Sequence, residues 1–578
     1  MRRVMSVAVL MYACSGAGMG QGVEEMEKIL LFCGVTCPEE VDSYEVERLG
    51  VFLSRPLAVN LAAPASLAES GLFTAYQAAS LSDYRKRHGD LLSFEELAMV
   101  DGFGRTVVER LKPFITLAGG TVPGRYEDRG FQSSVDLKSA WGKSGLQTYG
   151  VKYKMKAGKR WSAGTALSRT SQAGNMAPDA FSGYLVYDFR KTPGKVIIGD
   201  FNARFGQGLA LWNGMGLSGL NSPSSFLKRT SGLTPSSSFN GNYSLRGAAL
   251  DLTLKNVKLS TFMAVDKENT GVPGLLPAVN IALLRRYGII SMTHYADLSF
   301  IADIASIVDM KTSVDLAVCH YGVDLFAEAS YDWYKEVVAC LAGVVFPIRE
   351  DARIASMLRF YPPDFSSEYS AAAASTSKCS NEYALTLSGE FPKDLIFLDA
   401  AYFPSAKSGD DTEASLQVRL AYERDFQLGN SCNLKLRLAE RMRSWGVESR
   451  TEARAPFTYS SEGWSATLRA DAVRASGNGV LGYIEGGHKG ETLSIYLRYG
   501  MFCIDDWDDR IYVYERDAPG AFNVPAYYGR GLWGAVTASL RYTRALRLYA
   551  RAGMIEYPFM KSKKSGRAEL KLHAVFEF

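Results

Sequence analysis

The chain has 578 residues, 12% of them aromatic, and a formal net charge of +4 at pH 7. This length excludes one ordinary soluble domain, so the chain must form several domains or one very large sheet. The small net charge gives no general argument for a polyanion partner. The 31 tyrosines, the 54 glycines and a mean hydropathy of −0.07 favour a sheet with one face in lipid and one in water.

The first residues have the order of a secretory signal. In MRRVMSVAVLMYACSGAGMGQG, two arginines precede an apolar stretch from Val4 to Ala13, and small residues follow. This order predicts a signal peptide over residues 1–21. Lipidation at Cys14 is the weaker alternative, because Met11 and Tyr12 fit a lipobox poorly. Residues 22–50 are acidic and have a helical period, which predicts an acidic helical segment.

Helical patterns continue over residues 51–117 and predict a small all-α domain. The stretch AGGTVPGRYEDRG, residues 118–130, contains the glycines and the proline of a linker. Beyond it the hydrophobic period changes from about 3.6 residues to about 2 and stays there. We therefore place the boundary between the helical and the sheet-forming parts of the chain at this linker.

The last segment, RAELKLHAVFEF, shows the new period well. Leu570 and Leu572 fall on an apolar face, while Glu569 and Lys571 fall on a polar one. Many similar segments are about ten residues long, which is the length of a tilted strand that crosses a bilayer. Since only closure satisfies every backbone group in lipid, the pattern predicts a mainly β fold. We expect a large antiparallel transmembrane β-barrel of about 24 strands over residues 131–578. An array of β-sandwich domains is the alternative, although no repeat of domain length occurs.

Three pieces of the helical region resemble the tandem helix-hairpin-helix domain of ComEA-type DNA receptors. They are VNLAAPASL, LSDYRKRHGDLLSFEELAMV and DGFGRTVVERLKPFI. The resemblance implies sequence-independent DNA binding, in which a glycine turn presents backbone N–H groups at a helix N-terminus to a phosphate. The candidate phosphate-binding residues are Gly102, Phe103, Gly104, Arg105, Thr106 and Lys112. In the first hairpin Phe73 replaces the second glycine, and acidic and basic side chains are equal in number from Arg55 to Leu117.

Two stretches of the sheet region look like those of outer-membrane barrels that carry an N-terminal helix-hairpin-helix domain. They are GDFNARFGQGLALWNG and DDRIYVYERDAPGAFNVPAYYGRGLWGAVTASLRY. Period-2 patterning places the polar side chains of the first stretch on one face, where opposite charges two positions apart can pair. We predict a polar network in the barrel lumen that includes Asp200, Asn202, Arg204, Arg510, Glu515 and Arg516. A stabilising network and a substrate site both fit this pattern.

The eight cysteines and five histidines lack the spacing of a metal site, and no nucleophile or phosphate-loop motif is present. We therefore expect no enzymatic activity, no catalytic residues, no metal and no cofactor. The expected location is the outer membrane, with its lipid as a partner and with the helical domain in the periplasm. The leading hypothesis is non-specific DNA binding in DNA uptake. The alternative is a transport or assembly barrel whose helical domain is a plug or docks periplasmic proteins.

Overall fold

A computed structural model describes residues 23–36, 38–41, 43–118, 131–143, 145–158, 160–169, 176–190, 192–214, 222–239, 244–266, 274–285, 287–301, 304–365, 368–376, 379–405, 414–429, 431–518, 521, 523–543, 545–558 and 566–578. The expected signal peptide, Cys14 and nearly all of the expected linker lie outside the described residues.

The described N-terminal part of the chain forms six α-helices. They are α1 (Val23–Cys33), α2 (Ser43–Ser54), α3 (Pro64–Glu69), α4 (Ala75–His88), α5 (Phe94–Met99) and α6 (Arg105–Leu111). Thr74 and Gln77 form a capping box that starts α4, and the Ser93 hydroxyl caps α5. None of the described helices is long and apolar enough to span a bilayer.

All six helices share one hydrophobic core. The ring centroids of Phe32 in α1 and Phe114 are 4.9 Å apart, and those of Phe73 and Phe103 are 6.0 Å apart. A two-residue parallel pairing joins Leu57–Ala58 to Ile115–Thr116. The acidic segment and the region that follows it therefore pack as one body. We call the described part of residues 23–117 the helical plug, because of its position given below.

The rest of the chain forms a mainly β structure of 24 antiparallel barrel strands, which confirms the predicted fold class. In chain order the strands are β1 (Phe131–Gly142), β2 (Gly145–Ala157), β3 (Trp161–Arg169), β4 (Ala180–Asp188), β5 (Gly194–Arg204), β6 (Leu245–Leu254), β7 (Val257–Asp266), β8 (Gly274–Arg285), β9 (Gly288–Ile301), β10 (Ile304–His320), β11 (Val323–Asp332), β12 (Val337–Arg349), β13 (Ala352–Tyr361), β14 (Glu382–Glu390), β15 (Asp394–Phe403), β16 (Ser415–Gln427), β17 (Cys432–Arg443), β18 (Ser449–Ser461), β19 (Trp464–Arg474), β20 (Asn478–Lys489), β21 (Leu493–Ile504), β22 (Gly529–Arg541), β23 (Leu546–Glu556) and β24 (Arg567–Glu577).

The sheet closes on itself because β24 pairs with β1, from Glu569 opposite Gly142 to Glu577 opposite Ser134. Closure removes the unpaired edges that an open sheet would leave in lipid. The strands alternate as expected. On β21, Leu497 and Met501 are each 59% exposed on the outside, while Arg498 is buried on the inside. An antiparallel closed barrel with an apolar exterior has the architecture of outer-membrane barrels. Closure rules out the array of β-sandwich domains.

The two ends of the barrel differ in their connections. At the end where β1 begins and β24 ends, which we call the terminal end, short turns such as the one from Arg349 to Ala352 join the strands. The opposite end, which we call the loop end, carries the long connections 205–244, 362–381 and 505–528. The described parts of the first and last connections contact the helical plug. The helical plug is therefore also in contact with connections from the loop end.

Strand β5 parts from β4 at Gly199, which lies opposite Tyr184, while its pairing with β6 continues to Phe201 opposite Leu245. Phe201–Arg204 also pairs with a short strand, Gly232–Pro235. Gly199 has φ +107°, and a Cβ there would lie 2.2 Å from the Gly183 carbonyl oxygen. The Asp200 carboxylate instead accepts a hydrogen bond of 2.7 Å from Gly183 N–H. Glycine thus permits a close backbone approach that any side chain would prevent.

Candidate functional site

The helical plug lies inside the barrel and contacts strands around its circumference. Four of the seven ion pairs between them among the described residues join acidic side chains of the plug to basic side chains of the wall. The ion pairs between plug and barrel are Glu25 with Lys489 of β20, Glu45 with Arg204 of β5, Glu47 with Lys152 of β2, Glu69 with Lys195 of β5, Arg55 with Glu577 of β24, Arg110 with Glu390 of β14, and Arg105 with Glu350 in the turn from β12 to β13. Since these strands lie on several sides of the lumen, the plug occupies its cross-section.

Glu45 is the most strongly held carboxylate of this interface. It pairs with Arg204 of the wall and with Arg48 of its own helix, α2. Burial alone would raise its pKa, but the two guanidinium groups outweigh burial and lower the pKa of Glu45 to about 2. The pKa of Glu47, two residues further along α2, is also lowered, because Lys152 and Lys154 overcome the effect of burial. Both carboxylates are therefore ionised at neutral pH.

Connection 205–244 meets the plug from the loop end. Ser222 donates its N–H to the Gly34 carbonyl at 2.6 Å, and Arg229 donates to the Phe32 carbonyl at 3.2 Å. Arg229 also lies 4.2 Å from the centroid of the Phe32 ring. Arg110 of α6 binds both Ser224 of this connection and Glu390 of the wall. The plug is thus linked to wall and connection at the same point.

A buried carboxylate fixes the start of this connection. Glu328 of β11 accepts hydrogen bonds from the N–H groups of Gln207, at 2.7 Å, and Leu209, at 3.1 Å. Gly206 has φ +56°, and a Cβ there would lie 2.8 Å from the same carboxylate. At Gly206 the backbone therefore approaches a wall carboxylate closely. Sequence reasoning did not identify Glu328.

Connection 505–528 also reaches the plug. Tyr514 packs into the plug core, and its carbonyl accepts a hydrogen bond of 2.6 Å from Arg498 of β21. The adjacent Arg516 lies 2.6 Å from Glu485 of β20, and Glu515 binds Arg551 of β23. Glu515 and Arg516 thus belong to one buried ion-pair network in the lumen.

Arg510 lies apart from that network. Its Nε donates to the Tyr512 hydroxyl at 2.9 Å, and its Nη1 donates to the Trp507 carbonyl at 3.0 Å. Its guanidinium carbon lies 4.8 Å from the centroid of the Trp507 ring. The structure therefore places the three predicted residues of this stretch in two separate places.

Asp200, Asn202 and Arg204 are all buried, but the two charged residues do not pair with each other. Asp200 lies 3.0 Å from Arg246 of β6, whereas Arg204 binds Glu45 of the plug. The two opposite charges of this stretch therefore pair with other partners, because Arg204 extends to the plug. The acidic composition of residues 22–50 was the signal that could have identified Glu45 and Glu47 as partners of basic wall residues.

The predicted phosphate-binding turn lies against the terminal end of the wall. Gly102 and Gly104 both have positive φ, +85° and +74°, and the Phe103 side chain is buried in the plug core. The Thr106 hydroxyl donates to the Glu350 carbonyl at 2.7 Å. Arg105 is 76% exposed and 3.9 Å from the Glu350 carboxylate. The turn therefore contacts the barrel and has a negative charge beside it.

Lys112, the remaining predicted phosphate ligand, lies at the other end of α6. Its Nζ is 3.5 Å from Glu109 and 5.4 Å from the centroid of the Phe94 ring. No group of histidine, cysteine or carboxylate side chains within the described ranges is arranged to hold a metal ion.

A large cavity remains beside the plug. It has a volume of about 800 Å³ and lies among strands β16–β19, the plug residue Glu40 and the start of connection 505–528. Its arginines are Arg419, Arg437, Arg441, Arg443, Arg450, Arg454 and Arg510. We call this space the arginine cavity.

No family model and no curated protein matches the chain, whereas solved structures of large barrels do. The translocation pore of the P pilus usher PapC matches over 78% of this chain and 99% of its own, at 8% identity and a TM-score of 0.34. The siderophore receptor PirA from Pseudomonas aeruginosa matches over 78% of this chain and 81% of its own, at 9% identity and a TM-score of 0.40. The copper transporter OprC matches over 79% of this chain and 81% of its own, at 7% identity and a TM-score of 0.41. Likeness at this level concerns the barrel fold alone and supports no statement about cargo.

Proposed function

We propose that the protein is an outer-membrane transport or assembly barrel whose N-terminal helical domain plugs the lumen. The observation that carries this proposal is the ring of ion pairs that holds the plug to strands on several sides of the wall. Lipid is the partner of the apolar exterior. A plug of this kind closes the lumen until a cargo or a periplasmic protein displaces it.

The terminal end is the periplasmic end in this proposal. Single-chain bacterial barrels place short turns in the periplasm and longer loops outside the cell. The short turns lie at the end where β1 begins and β24 ends, so the plug is reached by periplasmic proteins from that side. Connections 205–244 and 505–528 then cover the plug from the outside.

Deletion of residues 23–117 tests the plug. Because the plug fills the lumen, we expect the deleted protein to show a several-fold larger single-channel conductance in planar bilayers than the full chain. Heat-modifiable migration on gels is the control that the deleted barrel has folded. Equal conductance of the two folded proteins would contradict the proposal.

Sequence-independent DNA binding is the second candidate, and the exposed basic last turn of α4 favours it. Lys86, Arg87 and His88 are exposed, as is Arg105 near the glycine turn. Glu350 beside that turn acts against a phosphate. The full chain and the chain without residues 23–117 also test DNA binding. A salt-dependent shift of duplex DNA by the full chain, absent after the deletion, would support DNA binding, and no shift at low salt would refute it.

A further inference from the structure

The arginine cavity has an unusual charge arrangement along its wall. Cross-strand register places Arg419 of β16 opposite Arg441 of β17, and Arg441 opposite Arg450 of β18. Arg437 of β17 lies opposite Arg454 of β18 in the same way. Like charges directly opposite each other on neighbouring strands are destabilising. Three arginines in one row therefore call for a compensating negative charge.

The described carboxylates compensate only part of this row. Arg450 lies 2.6 Å from Glu452, and Arg419 lies 2.7 Å from Asp399 of β15. Arg454 is 3.6 Å from Asp471 of β19. Five carboxylates line the cavity with the seven arginines, namely Glu40, Glu440, Glu452, Asp471 and Asp508, so the lining keeps an excess of positive charge.

Arg441 and Arg443 line the cavity and have no such partner among the described residues. The Nε of Arg441 is buried and has no hydrogen-bond partner in the described part of the chain. The Nε of Arg443 donates to the neutral amide of Gln417 at 2.7 Å. Neither guanidinium has a carboxylate within 4.0 Å among the described residues. Positive charge therefore remains available at the surface of the cavity.

The cavity has the size and the donors for a small organic anion. A volume of about 800 Å³, open to solvent, leaves room for the anion and its water. The planar guanidinium group donates two parallel N–H groups to a carboxylate or a phosphate, which makes arginine the preferred partner of these groups. Adjacent arginines favour an anion with more than one such group.

We propose that the arginine cavity binds small organic anions that carry several carboxylate or phosphate groups, and that it is the anion-selective part of the path through the barrel. This inference rests on the proposed transport function, for which it names the class of solute. The anion supplies the charge that the arginine row lacks. Displacement of the plug then opens the path beside it.

Calorimetric titration of the full chain in detergent with citrate tests the binding. We expect saturable binding that weakens as the salt concentration rises, because the interaction is ionic. The double variant Arg441→Gln, Arg443→Gln should lose about tenfold or more in affinity. Arg424→Gln is the matched control, since Arg424 of β16 is half-exposed and lies 3.8 Å from Asp394. It should bind citrate as the unmodified protein does.

A second double variant, Arg441→Lys with Arg443→Lys, separates a folding defect from a binding defect. It keeps both positive charges and should therefore retain most of the citrate binding. Heat-modifiable migration of every variant is compared as well. Absence of citrate binding by the unmodified chain, or equal affinity in the glutamine variant, would overturn the inference. These outcomes are independent of the plug test, because an open but non-selective pore after deletion of residues 23–117 would leave the proposed function intact.

Discussion

Glu45 shows how a single side chain ties the plug to the wall. Its pKa is lowered from an ordinary 4.5 to about 2, because Arg48 and Arg204 overcome the effect of burial. A carboxylate whose pKa is lower in the folded than in the unfolded protein adds to the stability of the folded state. The whole of this contribution is present above the pKa of the unfolded state. That contribution is lost as the pH falls from about 4.5 to about 2.

We therefore expect acid to loosen the plug. Bilayer conductance of the full chain should rise as the pH is lowered through this range. In Glu45→Gln, loss of the partner of a buried guanidinium weakens docking by about 3 to 5 kcal/mol, so conductance should already be higher at pH 7 and should change less with acid. Glu109→Gln removes an exposed pair with Lys112 and should behave as the unmodified protein does. A Glu45→Gln protein with unchanged conductance at pH 7 would argue against this role.

Single residues were the least predictable part of the molecule. Sequence reasoning grouped Arg510 with Glu515 and Arg516, whereas the structure separates Arg510 from the other two. It also looked for the partners of Arg204 within its own stretch of the chain. The true partner, Glu45, is 159 residues away in the chain, and no local pattern can reveal such a contact.

At the scale of elements, β5 depends on Gly199 for its close approach to the backbone of β4 at Gly183. A side chain there would meet the Gly183 carbonyl, and φ +107° is strained for any other residue. We expect Gly199→Val to destabilise the barrel by at least about 1 to 3 kcal/mol and to reduce the heat-modifiable fraction on gels.

Gly486→Ala of β20 is the matched control, because no atom lies within 4 Å of a Cβ at that position. It should leave the heat-modifiable fraction unchanged. Equal folded fractions for Gly199→Val and the unmodified chain would show that the close approach to Gly183 is not needed.

Elements were predicted far better than residues. The period of two predicted strands because each strand separates lipid from the lumen, and this holds for β24, where Leu570 and Leu572 are exposed and Lys571 reaches Asp517. The same rule failed around Phe201. Both faces of this stretch are buried because connection 205–244 and the neighbouring strands cover it, so alternation carried no information about exposure.

At the scale of the whole molecule, orientation can be tested directly. Lys335 lies in the exposed turn between β11 and β12 at the loop end, and Glu350 lies in an exposed turn at the terminal end. If the plug faces the periplasm, a membrane-impermeant maleimide should label Lys335→Cys on intact cells. Glu350→Cys should be labelled only after the outer membrane is permeabilised. The reverse pattern would place the plug on the outside.

The closed barrel and its approximate strand number could be predicted from the sequence. Only a closed sheet satisfies all its backbone hydrogen bonds in lipid, and the length of the chain limits the number of strands that can cross the bilayer. The position of the helical domain did not follow. The charges from Arg55 to Leu117 balance, so neither a DNA-binding surface nor a docking surface stands out in the composition of that part. The wall residues Lys152, Lys195, Arg204 and Lys489 show where the carboxylates of the helical plug belong.

The ion pairs of the plug also constrain the order of assembly. The helices come first in the described chain, yet they bind Lys152 in the middle of β2 and Glu577 at the end of β24. Arg55 cannot meet Glu577 until the last strand has been made and placed. The helical plug therefore reaches its final contacts only when the barrel around it is complete.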